Sequence, residues 1–97
     1  MSKISDSAAY ALENGEEFNS KNTKVLHLGE GCWVMRLHRT TIAKKWHKTN
    51  ELYITTGGWD TKTTKSRLNA LHGVRVSSKA YELYLNDEKW DGNLTKV

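Results

Sequence analysis

The stretch Gly57-Gly58-Trp59-Asp60-Thr61-Lys62-Thr63-Thr64-Lys65-Ser66-Arg67-Leu68-Asn69-Ala70-Leu71-His72-Gly73 divides the chain. Two glycines and a Trp-Asp step end an apolar run, and residues 61–72 read as a helix with its own start and stop. Asp60 and Thr61 are both candidate N-caps, because a side-chain oxygen there accepts from a free amide of the first turn. Gly73 suits the left-handed residue that ends a helix. Leu68 and Leu71, with Thr64 one turn earlier, share the side that seats such a helix on a sheet. Lys62, Lys65 and Arg67 crowd the first two turns, where the helix dipole is already positive and cations are mildly unfavourable. A bound phosphate would account for them, with the hydroxyls of Thr61, Thr63 and Thr64 and the free amides as donors. The alternative is a capped surface helix whose threonines satisfy their own backbone.

Upstream of this helix the hydrophobic period is two. Residues 24–28, 32–39, 41–47 and 51–55 read as strands, and connections this short join antiparallel neighbours. In the second of these Trp33, Met35 and Leu37 share one face, while Arg36 and His38 share the other with Cys32 and Val34. Before the strands, Ser5, Asp6 and Ser7 are cap candidates for a short helix over residues 8–13, closed by Gly15. Residues 19–23 read as an exposed loop.

Downstream, residues 74–77 and 81–86 read as a hairpin, residues 89–92 end the ordered part, and residues 93–97 read as a loose tail. One internal echo appears: Glu51-Leu52-Tyr53-Ile54 precedes Trp59-Asp60 at the same spacing as Glu82-Leu83-Tyr84-Leu85 precedes Trp90-Asp91. It predicts two strands that each hand over to an anchored Trp. The expected fold is α+β. It is a single domain with an antiparallel sheet of five to seven strands, a central helix on one face and a short N-terminal helix. Its units are 1–22 (helix and loop), 23–56 (meander), 57–73 (helix), 74–92 (hairpin) and 93–97 (tail). The absence of Pro fits a chain made mostly of regular strands.

The pattern Gly-Gly-Trp at 57–59, Thr-x-Thr-Thr-Lys-x-Arg-Leu-Asn-Ala-Leu at 61–71, Val-x-Val at 74–76, Tyr-Leu-Asn at 84–86 and Trp-Asp-Gly at 90–92 resembles a group of small bacteriophage-encoded proteins. The resemblance covers the last half of the chain well and the first half loosely. It implies a phage origin and action in the cytoplasm of an infected bacterium, and it carries no residue roles with it.

Charge points to the class of partner. Residues 31–81 carry ten Lys or Arg against Glu51 and Asp60, a balance of +8, whereas residues 1–30 and 82–97 each come to −2. A basic middle between acidic flanks is how a polyanion-binding surface reads in sequence. Arg36, Arg39, Lys44 and Lys45 supply further charge in the strands, and Trp46 and Tyr53 supply rings that can stack on bases. The competing reading is a solvated sheet face.

Other classes have less behind them. Apolar residues at 37% with 27% charged indicate a globular chain rather than a disordered one. No apolar run approaches the roughly 20 residues of a membrane span. The polar start Met-Ser-Lys-Ile-Ser-Asp-Ser does not read as a signal peptide, so a cytosolic setting is expected. Cys32 stands alone and reads as a small buried hydrophobe. His27, Cys32, His38 and His47 lack the close ligand pairs that zinc sites favour, and no nucleophile motif or nucleotide-hydrolase phosphate loop occurs. The expectation is therefore a non-enzymatic protein without cofactor or metal that binds an anionic partner, foremost nucleic acid. The alternatives are a modulator of a host enzyme or defence complex acting by protein contact, and a protein that sequesters a nucleotide. Open sheet edges allow a monomer or a homodimer.

Overall fold

Four two-residue turns fold the chain back on itself in the computed structural model, which describes residues 3–97; residues 1 and 2 of the expected first unit lie outside them. Glu30-Gly31, His38-Arg39, Ala80-Tyr81 and Asn86-Asp87 each place both central residues at positive φ. That backbone matches the right-handed twist of paired strands, so each turn makes a tight antiparallel hairpin. His38 thereby leaves the strand in which its alternation had placed it.

The elements run α1 (Lys3–Asn14), β1 (Phe18–Asn19), β2 (Thr23–Gly29), β3 (Cys32–Leu37), β4 (Thr40–Trp46), β5 (Glu51–Ile54), α2 (Lys62–Asn69), β6 (Val76–Lys79), β7 (Glu82–Leu85), β8 (Glu88–Lys89) and β9 (Thr95–Lys96). The fold is α+β and the meander is present, but the expected single sheet is two. One has six strands in the order β1-β2-β3-β4-β5-β9, and the other has three in the order β6-β7-β8. All pairs are antiparallel.

The hairpin stays out of the large sheet because its first strand is claimed elsewhere. Asn69, at the end of α2, donates to the Val76 carbonyl at 2.9 Å and accepts from the Val76 amide at 2.6 Å, completing that residue's pairing as a strand would. The free edge of β5 is taken instead by residues 93–97, expected to be loose. The Trp90 indole donates to Thr95 Oγ1 at 2.8 Å, and the Val97 amide donates to the Leu52 carbonyl at 2.9 Å. The echo holds for the strands, since Glu51–Ile54 is β5 and Glu82–Leu85 is β7. It fails for the rings: Trp90 is half-buried and bonded, whereas Trp59 is 62% exposed.

Both helices differ from expectation at their ends. α1 begins at Lys3, so Ser5, Asp6 and Ser7 lie inside it rather than capping it, and Ser5 is fully buried. Gly15, at φ +69, closes it, with the Glu16 amide reaching back to the Ala11 carbonyl. α2 takes Thr61 as its N-cap, with Thr61 Oγ1 accepting from the Thr64 amide at 3.1 Å. It stops at Ala70, three residues before Gly73.

Helices and hairpin pack on one face of the large sheet. Leu12 and Ala8 from α1, Leu68 from α2, Val76 and Leu85 from the hairpin, and Val25, Met35 and Ile54 from the sheet form one core. Each Val, Leu, Ile or Met among them, fully buried, contributes about 1.5–3 kcal/mol. A bulge opposite the Met35/Arg36 step sets Ile42 and Ala43 in this core although they are adjacent in sequence.

Candidate nucleic-acid interface

The second face of the six-stranded sheet is built by alternation. With Val25, Met35, Ala43 and Ile54 turned to the core, register puts Lys24, Arg36 and Thr41 in one row across the opposite face. Leu26, Val34, Lys44, Tyr53 and Lys96 form the next row, and Cys32, Trp46 and Glu51 a third. Val34 and Cys32 are buried here without belonging to the main core. In register beside them stand longer side chains, Leu26 and Lys44 next to Val34 and Trp46 next to Cys32. The result is a sheet surface with an apolar floor, flanked by rings and cations.

Trp46 and Tyr53 are diagonal neighbours on β4 and β5, a spacing of about 7–8 Å between backbones. Trp46 is 37% exposed and Tyr53 half-buried. Lys24, Arg36, Lys44 and Lys96 share the face with them, and Glu51 is the acid in these rows. Glu51 is bound to Lys96 at 2.9 Å and to the Thr49 hydroxyl at 2.9 Å. The hydrogen bonds from Lys96 and Thr49 hold its carboxyl below the usual carboxylate range, and the same pair raises the Lys96 ammonium. Counting that acid against the four cations, the rows keep a balance of +3.

Four of the expected site residues thus come together on one face: Arg36, Lys44, Trp46 and Tyr53. Arg39 stands in the adjoining β3–β4 turn, where with Arg36, Lys21 and Lys24 it lines a shared cavity. Arg36 Nε is buried and has no hydrogen-bond acceptor among the described residues. An unsatisfied buried donor costs about 1–3 kcal/mol.

The remaining expected residues lie elsewhere, and the start of α2 gathers no cationic patch. Arg67 is 5% exposed and points inward, donating to Thr23 Oγ1 at 2.9 Å, Ser5 Oγ at 2.6 Å and Asn22 Oδ1 at 3.3 Å. Burial lowers its pKa from the ordinary guanidinium value. Lys65 is engaged by Asp60 at 3.4 Å and by Ser78 Oγ at 2.6 Å, tying α2 to the hairpin. Thr61 is occupied as the cap, and Lys62 is exposed on the first turn. Thr63 lines a separate cavity with Trp59. Lys45 faces the helix side, in register with Trp33 and Leu52.

Sequence reasoning missed Lys24 and Lys96. Lys24 pairs with Arg36 across β2 and β3, and the alternation of residues 24–28 already carried that signal. Lys96 was hidden because its strand exists only through tertiary pairing with β5.

Among the described residues no helix is long and apolar enough to cross a membrane. No curated protein and no solved structure matches the chain. The profile of the Kyanoviridae Gp96 protein family matches residues 1–95. The phage origin implied by the motif pattern is thus borne out, and the chain belongs to the Kyanoviridae Gp96 family of phage proteins.

Proposed function

We propose that this protein is a non-enzymatic binder of single-stranded nucleic acid in the cytoplasm of the infected bacterium, with the uncovered face of its six-stranded sheet as the binding surface. The observation that carries the reading is the placement of Trp46 and Tyr53 diagonally on that face among Lys24, Arg36, Lys44 and Lys96. Rings at such spacing offer successive stacking platforms, and the cations track the backbone between them. A broad sheet face does not enter a duplex groove as a helix or ribbon does, and stacking needs unpaired bases, so single strands are the better substrate.

The test is fluorescence anisotropy of a labelled DNA or RNA dodecamer against salt concentration. With three or four backbone contacts, log affinity should fall against log salt with a slope of roughly −2 to −3. Trp46→Ala should weaken binding about tenfold, a typical loss for one stacked base. Lys44→Gln should weaken it and flatten the salt slope by about one contact. Lys62→Gln should change little, since Lys62 lies at the start of α2 and off the face. A salt-independent affinity, or one indifferent to Trp46→Ala, contradicts the reading.

A further inference from the structure

Two cavities flank the β3–β4 turn, and His38 lines both. The first, about 380 Å³, is cationic: Lys21, Lys24, Arg36 and Arg39 line it together with Ser20 and Asn22, and no acidic side chain does. The second, about 370 Å³, lies on the helix side of the turn. It has Leu37 and Ile42 as its apolar lining, threonine hydroxyls including Thr61 and Thr63, and the Trp59 ring, 62% exposed. Both volumes fall in the range of small-ligand sites.

We propose that these two cavities form one site for a nucleotide, with the phosphate among Lys21, Arg36 and Arg39 and the base against Trp59, the ligand crossing His38. The cations of the first cavity, with no acidic side chain among them, call for an oxyanion, and a guanidinium is suited to phosphate by its forked donors. The Trp59 ring lining one cavity with Leu37, Ile42 and threonines, whose hydroxyls can donate or accept, calls for a flat heterocycle with polar edges. A nucleotide joins these two chemistries in one small molecule. The geometry of the loop supports a placed Trp59. Gly57, two residues earlier, has φ +64 and packs against the Thr40 side chain so closely that no Cβ fits, fixing the loop to β4 beside the second cavity.

The same chemistry is presented by a free nucleotide and by the phosphorylated end of a strand. The site shares Lys24 and Arg36 with the sheet face but does not depend on it, because Trp59, His38 and Arg39 stand outside the rows that carry Trp46 and Tyr53.

Calorimetric titration of the full chain with adenosine monophosphate, adenosine and inorganic phosphate tests the proposal. The monophosphate is expected to bind at least about tenfold more tightly than either fragment, since it engages both cavities. Trp59→Ala and Arg39→Gln, both at exposed positions, should each weaken it about tenfold, while Trp46→Ala leaves it unchanged. Equal binding of monophosphate and inorganic phosphate, or indifference to Trp59→Ala, overturns the proposal. Competition with a pentanucleotide, with and without a 5′-phosphate, separates the sources. Displacement by the phosphorylated oligomer alone assigns the site to a strand end, and displacement by neither assigns it to a free nucleotide. A chain that binds the monophosphate but no oligonucleotide would retain this site and refute the sheet-face reading, and the reverse would refute this site.

Discussion

Arg67 and Arg36 are the same residue type with opposite tasks, and the difference lies in the periodicity of their elements. Arg67 falls at three residues after Thr64 and four before Leu71, the inward side of α2, and spends its donors on Ser5, Thr23 and Asn22. Reading Thr64, Leu68 and Leu71 as the seating side while treating Arg67 as surface set charge above geometry. A buried guanidinium with hydroxyl and amide acceptors is tolerable because each of its bonds is charge-assisted. Removing it takes a charged donor away from Thr23 Oγ1 and Ser5 Oγ in the interior. Arg67→Ala is therefore expected to lower unfolding free energy by about 2–4 kcal/mol. In denaturant melts this should appear as a lower midpoint at unchanged slope, and Arg67→Lys should recover part of it. A melt indistinguishable from the parent chain would show that Arg67 is not a tie between α1, α2 and β2.

At the scale of elements, the strands of the meander were legible and the turns much less so. Alternation placed Trp33, Met35 and Leu37 on one face and Cys32, Val34 and Arg36 on the other, as the register shows. The bulge that buries Ile42 beside Ala43 leaves no mark in a period-two pattern. His38-Arg39 also lacks the Asn-Gly signature of its turn, yet both residues have positive φ. Replacing the pair by Asn-Gly should stabilise the chain by about 1–2 kcal/mol, by relieving a backbone that side chains disfavour. It should also weaken nucleotide binding through loss of the Arg39 cation. Thermal melts and calorimetry on the one variant would read these opposite signs, and a gain in both would contradict them.

The edge strand β9 supplies a pH test. The hydrogen bonds from Lys96 and Thr49 hold the Glu51 carboxyl below its usual range. A carboxyl lowered on folding stabilises the fold above its ordinary value, and that contribution is lost as pH falls through the lowered one. Acid should therefore loosen β9 before the rest of the sheet. The protection of the Val97 amide, bonded to the Leu52 carbonyl, should drop in that window. In Glu51→Gln the drop should vanish, and a Val97 protection that stays flat in the parent chain would argue against the pair as the clasp of this strand.

Across the whole molecule, the charge division of the sequence was sound, but a linear count has no faces. Of the cations between residues 31 and 81, Arg67 is buried, Lys65 is paired and Lys45 turns to the helix side, while Arg36 and Lys44 meet Lys24 and Lys96 from the acidic flanks. The α+β class and the phage origin were legible because motifs and periodicity are local. The division into two sheets was not, because it depends on Asn69 bonding Val76 and on residues 93–97 finding β5. The helices and the hairpin pack on one side of the large sheet and leave the other side uncovered.

The proposed function rests on that uncovered side, and backbone amide shifts on titration with a single-stranded dodecamer at low salt test it most directly. Shifts should concentrate on β2 to β5 around Lys24, Arg36, Lys44, Trp46 and Tyr53, and they should fade as salt is raised. Shifts confined to α2 and the β6–β8 hairpin, or none at all, would contradict it.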